Sequence, residues 1–229
     1  MNPEREWPLQ RLSGTPAAIH GRHPDLTSRL VVVCEPTAAA LVLGSTQPAG
    51  AFDPARVAAA GLDVARRRSG GGAVLVRPGE VAWIEAVLPA ADRLWEPDVG
   101  RSFLWLGRAW AAALSACGVT GVEVHSGPLR RSVLSSRLCF AGLGPGEVTV
   151  AGRKVVGLAQ RRRREGAVFQ CAALLAWDPR ELAELLALPA GERAAAARFL
   201  GEAAAPLPST PHALTTGFRH ALAEMGPDG

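Results

Sequence analysis

The eight residues Val81-Ala-Trp-Ile-Glu-Ala-Val-Leu88 constrain the fold of this chain more than any other segment. β-Branched and aromatic side chains favour an extended strand. Both faces of that strand are largely apolar, so it must lie centrally in a sheet and be covered on each side. The turn-rich tetrapeptide Arg77-Pro-Gly-Glu80 joins it to Ala73–Val76, and the two read as a hairpin. Leu30–Cys34, Ala40–Leu43, Leu62–Ala65, Val122–His125 and Ala167–Ala176 read as further strands. Glu147–Ala151 and Val155–Ala159 form another hairpin, with Gly152-Arg153-Lys154 at its turn. Helices are expected after Asp53-Pro54, Asp178-Pro179 and Thr210-Pro211, where an N-cap side chain precedes a proline. Phe103, Leu106, Trp110, Leu114 and Cys117 recur at helical spacing and define one more over Gly100 to Cys117. Strands and helices in this order predict an α+β fold, a mixed β-sheet flanked by helices, and no strict βαβ alternation. The 229 residues suit a single domain. Residues 1–28 read as an irregular lead-in with one short helix, and 190–229 as C-terminal helices.

Composition narrows the function. A chain that is 48% hydrophobic and 20% charged is a globular protein, and no segment is apolar enough to span a membrane. The opening Met-Asn-Pro-Glu-Arg-Glu-Trp lacks a basic stretch followed by an apolar one, so a cytoplasmic protein is expected. The net charge of +4 favours acidic partners, but there is no tyrosine and few aromatics, so no nucleic-acid stacking platform is expected. Cys34, Cys117, Cys139 and Cys171 are irregularly spaced and form no metal motif. Cys34, Cys117 and Cys171 read as buried small hydrophobes. Cys139 stands apart, at the start of the Gly/Pro-rich stretch Ser135-Ser-Arg-Leu-Cys-Phe-Ala-Gly-Leu-Gly-Pro-Gly146. A cysteine in an exposed, electropositive loop is a candidate nucleophile, because the thiolate is the reactive form. Arg137 and Lys154 are candidate sources of that charge.

Two other segments carry chemistry. In Arg66-Arg-Arg-Ser-Gly-Gly-Gly-Ala73, three glycines let the backbone approach a ligand, and arginines lie beside them. The absence of Gly-Lys-Ser/Thr, and a strand where a helix would follow, exclude a P-loop and a dinucleotide fingerprint. The second segment holds Lys154, the one lysine among 25 basic residues. Its compact ammonium is not interchangeable with arginine's planar fork.

Taken together, Arg-Arg-x-Ser-Gly-Gly-Gly-Ala, then Cys139-Phe140, then Gly-Glu-Val-Thr-Val-x-Gly-Arg-Lys-Val-Val-Gly-x-Ala-Gln-Arg-Arg resemble the lipoate-protein ligase and octanoyltransferase superfamily. The resemblance runs from about Ala40 to Leu188, and Pro36 to Gln47 fits its Leu-Gly-x-x-Gln segment. It implies the biotin/lipoate-ligase catalytic fold, with an acyl chain in an apolar tunnel. It implies that Arg67, Arg68, Ser69, Gly70, Gly71, Gly72 and Ala73 close over the acyl group, with Gly157 and Ala159 beside it and Lys154 at its carbonyl.

Two chemistries compete. The cysteine-loop octanoyltransferases take octanoate from an acyl carrier protein onto a cysteine, here Cys139, and need no cofactor. The ligases activate free lipoate with ATP and Mg²⁺. Either would modify a lysine of a lipoyl domain of a 2-oxoacid dehydrogenase or of the glycine cleavage H protein. The cysteine loop favours the transferase, and so does the 41-residue remainder after Leu188, too short for the ligases' usual accessory domain. Departures from the family pattern at Val76, Arg77, Ala82, Leu158 and Cys171 keep a third reading open, a non-catalytic acyl- or cofactor-binding paralogue.

Overall fold

A computed structural model describes residues 7–225; the ends of the lead-in (1–6) and of the C-terminal segment (226–229) lie outside the described residues. Ten strands form two sheets. The larger has seven strands in the order β1 (Leu9–Gly14), β2 (Leu30–Pro36), β6 (Val81–Pro89), β10 (Gly166–Leu174), β9 (Arg153–Arg162), β8 (Val148–Val150), β7 (Val122–Val124). Its pairs are antiparallel except β1 with β2. The smaller has the order β4 (Asp63–Arg66), β3 (Ala40–Leu43), β5 (Val74–Val76). The mixed α+β architecture is the one expected from the sequence.

β6 is central, between β2 and β10, and every residue from Val81 to Leu88 is buried. Alternation along it separates two environments. Ala82, Ile84, Ala86 and Leu88 face α3 (Leu104–Ala116) and α6 (Pro211–Glu224), where Trp110 stacks on Phe218 at 4.6 Å. Val81 and Trp83 face the small sheet, among Val42, Ala65 and Val76. The far side of the small sheet is covered by α2 (Pro54–Ala59), α4 (Pro179–Leu185) and α5 (Ala190–Ala203), through Leu41, Leu43, Val57, Leu182, Leu185 and Leu200. Burying each such aliphatic or aromatic side chain contributes about 1.5–3 kcal/mol. The space between the two sheets is where the chemistry-bearing segments meet.

The helix caps follow the sequence. Asp53 accepts from the amides of Ala55 and Arg56, Asp178 from those of Arg180 and Glu181, and Thr210 from that of Ala213, each before a proline.

Four expectations need correction. Ala73–Val76 and Val81–Leu88 are strands but not a hairpin. Both edges of β6 are taken by β2 and β10, so β5 pairs with β3 instead, Ala40 opposite Val76. The lead-in is more ordered than expected: it contains β1 as well as the short helix α1 (Pro16–Gly21). Cys117 is exposed, because α3 ends there and its thiol turns toward the Ala213 carbonyl. Lys154 is not in a turn. The reversal is made by Ala151 and Gly152, both at positive φ, and Lys154 lies inside β9.

Candidate active site

The glycine segment and the cysteine loop are stitched together by backbone. The Ala73 amide donates to the Arg137 carbonyl (2.8 Å), and the Cys139 amide donates to the Ala73 carbonyl (2.9 Å). Gly72 makes this approach possible: a Cβ there would lie 2.6 Å from the Leu138 carbonyl carbon. Gln47 reinforces it, accepting from the Gly44 amide and donating to the Arg137 carbonyl. Cys139 therefore sits where the sheets meet, at the start of a short 3-10 turn, half-buried.

Its sulfur lines a narrow, mainly apolar slot with Val42, Val76, Trp83, Ala159 and Ala172. Strand register builds that wall, since Gly157 pairs with Ala172, and Ala172 with Trp83. Gly157 makes room for the sulfur; a Cβ there would lie 3.4 Å from Cys139 Sγ and 3.3 Å from Lys154 Cε. The slot encloses only about 40 Å³, little more than one water.

Lys154 lies behind Cys139. Its Nζ is 3.9 Å from Cys139 Sγ and donates to the carbonyls of Cys139 (2.8 Å) and Gly142 (3.0 Å). Its third partner is Glu147 Oε2 at 2.7 Å. Glu147 also accepts from the amides of Gly144 and Leu158. Lys154 is 3% exposed and Glu147 5%, so this is a buried ion pair with every ammonium proton used. The other side of Lys154 borders a separate cavity of about 170 Å³ with Arg130, Arg131 and Ser132.

The remaining residues singled out in the sequence fall in different places. Arg67 lines the slot, and its Nη2 donates to the carbonyls of Gly70 (2.8 Å) and Gly72 (2.7 Å). Gly70, Gly71 and Gly72 thus form a braced wall behind the slot and do not line it. Arg68 turns away, to the carbonyls of Gly21 and Arg22 and to His23. Ser69 Oγ donates to Gln170 Oε1 (2.6 Å). Ala73 borders a different cavity, of about 290 Å³, shared with Arg77, Glu80, Asp178 and Glu181. Arg137 meets the site through its carbonyl, which accepts from Gln47 and Ala73, and among the described residues its buried Nη1 has no hydrogen-bond partner.

Sequence reasoning missed a polar network at the slot's wall. Gln170 Nε2 donates to Glu85 Oε1 (2.9 Å) and to His20 Nδ1 (3.2 Å), while Glu85 Oε2 pairs with Arg22 (2.9 Å). Register explains it, since Gln170 and Glu85 are directly opposite on β10 and β6. The one signal was Glu85 itself, a lone charge in the apolar run of β6. Burial pushes its carboxyl up against the pull of Gln170 and Arg22. His20 packs on Trp83, with ring centroids 4.4 Å apart and planes tilted by 32°. Burial, and secondarily the Arg67 charge, lower its pKa from 6.5 to about 3. It is neutral, with Nδ1 accepting and the proton on Nε2.

That depression predicts acid lability. Between pH 6.5 and 3 the unfolded chain binds a proton at His20 that the folded chain refuses, so stability falls as the pH falls through this window. From pH 6.5 to 5 the loss is about 2 kcal/mol. Urea unfolding at the two pH values should show it, and His20→Asn should flatten the dependence. An equally steep dependence in that variant would assign the effect elsewhere.

The fold, two facing sheets flanked by helices, is shared with solved lipoate-protein ligases. The bipartite lipoate protein ligase of the archaeal lipoylation system from Thermoplasma acidophilum superposes with a TM-score of 0.73 at 18% identity, over 96% of this chain and 83% of that one. A lipoate-protein ligase A bound with ATP gives 0.70 at 17%, over 96% and 85%. A T. acidophilum protein solved with bound lipoic acid gives 0.61 at 17%, over 94% of each chain. No curated protein matches the sequence. The family model for the lipoyl protein ligase A/B catalytic domain matches residues 17–202, and the chain belongs to that family. That family is one of lipoate metabolism. Among the described residues, no helix is long and apolar enough to cross a membrane, and no three His, Cys, Asp or Glu side chains gather as a metal site.

Proposed function

We propose that the protein is a cysteine-dependent acyltransferase that moves an octanoyl or lipoyl group onto a lysine of a lipoyl domain. The observation that carries this reading is the placement of Cys139 in the apolar slot, with the buried Arg67 lining the same slot and Lys154 Nζ 3.9 Å from its sulfur. An apolar slot suits the acyl chain, and a cation-flanked thiol suits attack on its carbonyl.

The steps balance without ATP. The Cys139 thiol gives its proton to solvent, and the thiolate attacks the donor's thioester carbonyl. The donor's carbon–sulfur bond breaks, its thiol leaves protonated, and the acyl group remains on Cys139 as a thioester. A neutral lysine amine of the acceptor then attacks that carbonyl, forming an amide and releasing the Cys139 thiolate. The surplus amine proton goes to solvent. Neither Lys154, with its three protons engaged, nor His20, whose Nδ1 is occupied, is free to act as base.

A second reading, ATP-dependent lipoate ligation, is favoured by the cavity beyond Lys154. There Arg130 and Arg131 would meet nucleotide phosphates, and the ligase would draw on ATP and Mg²⁺. Intact-mass analysis separates the readings. Incubation with octanoyl carrier protein is expected to add one octanoyl group at Cys139, labile to hydroxylamine, and a lipoyl domain should then remove it. No adduct on Cys139, together with lipoate-dependent ATP–pyrophosphate exchange, would establish the ligase. Ligand binding with neither outcome would leave a non-catalytic acyl-binding protein.

A further inference from the structure

The two cations beside Cys139 are not equivalent. The Lys154 charge is opposed locally: Glu147 Oε2 lies 2.7 Å from its Nζ, both side chains are buried, and carbonyls take the other two protons. The carboxylate therefore offsets part of the charge that Nζ presents to Cys139 Sγ at 3.9 Å. Arg67 is in the opposite condition. It is 5% exposed, and no carboxylate pairs with it among the described residues. Its Nη2 is held by Gly70 and Gly72, its Nη1 lies 3.4 Å from the Val42 carbonyl, and its buried Nε–H has no partner. Burial disfavours the charged guanidinium, while a negative charge on Cys139, which lines the same slot, favours it. The other polar groups lining the slot are His20, which burial holds neutral, Gln170, and the Cys171 thiol, which burial pushes up; behind them Glu85 is paired with Arg22. A buried cation without a counter-charge is costly, and an anion formed next to it relieves that cost.

We infer that Arg67, and not Lys154, is the charge that stabilises the Cys139 thiolate, and that the Lys154–Glu147 pair is a neutral clamp holding the loop around it. The inference rests on the acyltransferase reading only in taking Cys139 as the nucleophile. It assigns Arg67 a place in the chemistry beyond lining the acyl site. It also reverses the sequence-based pairing of Cys139 with Lys154.

The test uses iodoacetamide on the full-length protein from pH 6 to 10, with the modified peptides quantified by mass. Cys117 is exposed and serves as an internal reference. Arg67→Gln is expected to slow Cys139 alkylation at pH 7 by about tenfold or more, with the loss recovered at high pH. Glu147→Gln, which uncovers the Lys154 charge, should speed it at pH 7 and move the profile toward acid. A purely structural role for Arg67 would instead loosen the glycine loop and speed alkylation at every pH without moving the profile, and that result overturns the assignment. If Arg67→Gln fails to fold, Glu147→Gln decides alone, because an unmoved profile there means that Lys154 was never masked. None of these readouts needs an acyl donor. A profile that behaves as expected, on a protein that never acquires an acyl group, would sink the acyltransferase reading and leave this inference standing.

Discussion

Cys139→Ala is expected to eliminate the acyl adduct and to lower transfer to a lipoyl domain by at least about a thousandfold, the scale typical of removing a covalent nucleophile. No other thiol can substitute. Cys34 and Cys171 are buried, and burial raises the Cys171 thiol to about 12 and raises Cys34 further. Cys117 is reachable but lies at the end of α3, against the opposite face of the large sheet. Cys139→Ser separates chemistry from packing, since a hydroxyl fits the same space between Gly157 and Phe140 but is a far weaker nucleophile at neutral pH. The two assays are intact mass for the adduct and lipoyl-domain mass for transfer. Transfer by Cys139→Ala within tenfold of the parent would eliminate the thioester mechanism.

The second large effect is expected at Lys154. Lys154→Met leaves Glu147 buried without a counter-charge and removes the shared donor of the Cys139 and Gly142 carbonyls. Breaking one side of such a pair costs about 3–5 kcal/mol, which thermal or urea unfolding would register directly. Lys154→Arg is not expected to rescue the fold. Three acceptors converge on one nitrogen, and a planar fork cannot meet them from the same point. The double variant Lys154→Met with Glu147→Leu should recover only part of the stability: the uncompensated charge is gone, but the Gly144 and Leu158 amides and the Cys139 and Gly142 carbonyls have lost their partners. It should not recover transfer, because the cysteine loop has lost its anchor. A Lys154→Met protein as stable as the parent would show that the pair does not hold this loop.

The helix starts at Asp53-Pro54, Asp178-Pro179 and Thr210-Pro211 were legible because cap and proline act within four residues. The central place of β6 was legible because it needs only the pattern along one strand. Which strand pairs with which was not. β5 and β6 are separated by four residues and lie in different sheets, an outcome fixed by competition for edges across the whole chain. β1 escaped notice because it is a half-exposed edge strand, Leu-Gln-Arg-Leu-Ser-Gly, with little apolar alternation. At the candidate site, the motif order brought out Cys139, Lys154 and the glycine loop. Burial was what it could not supply. That Glu147 neutralises Lys154, that Ser69 is spent on Gln170, and that Arg68 faces away all depend on contacts between distant segments.

A protein that carries an activated acyl group intended for a lysine has one obvious wrong target, its own surface. Arginine stands at every basic position but one here, and guanidinium is too weak a nucleophile to take the acyl group. The single lysine is 3% exposed, sealed against Glu147 and two carbonyls. Under the acyl-transfer reading the enzyme is inert toward its own product chemistry, and any acyl-lysine formed in its presence belongs to the partner.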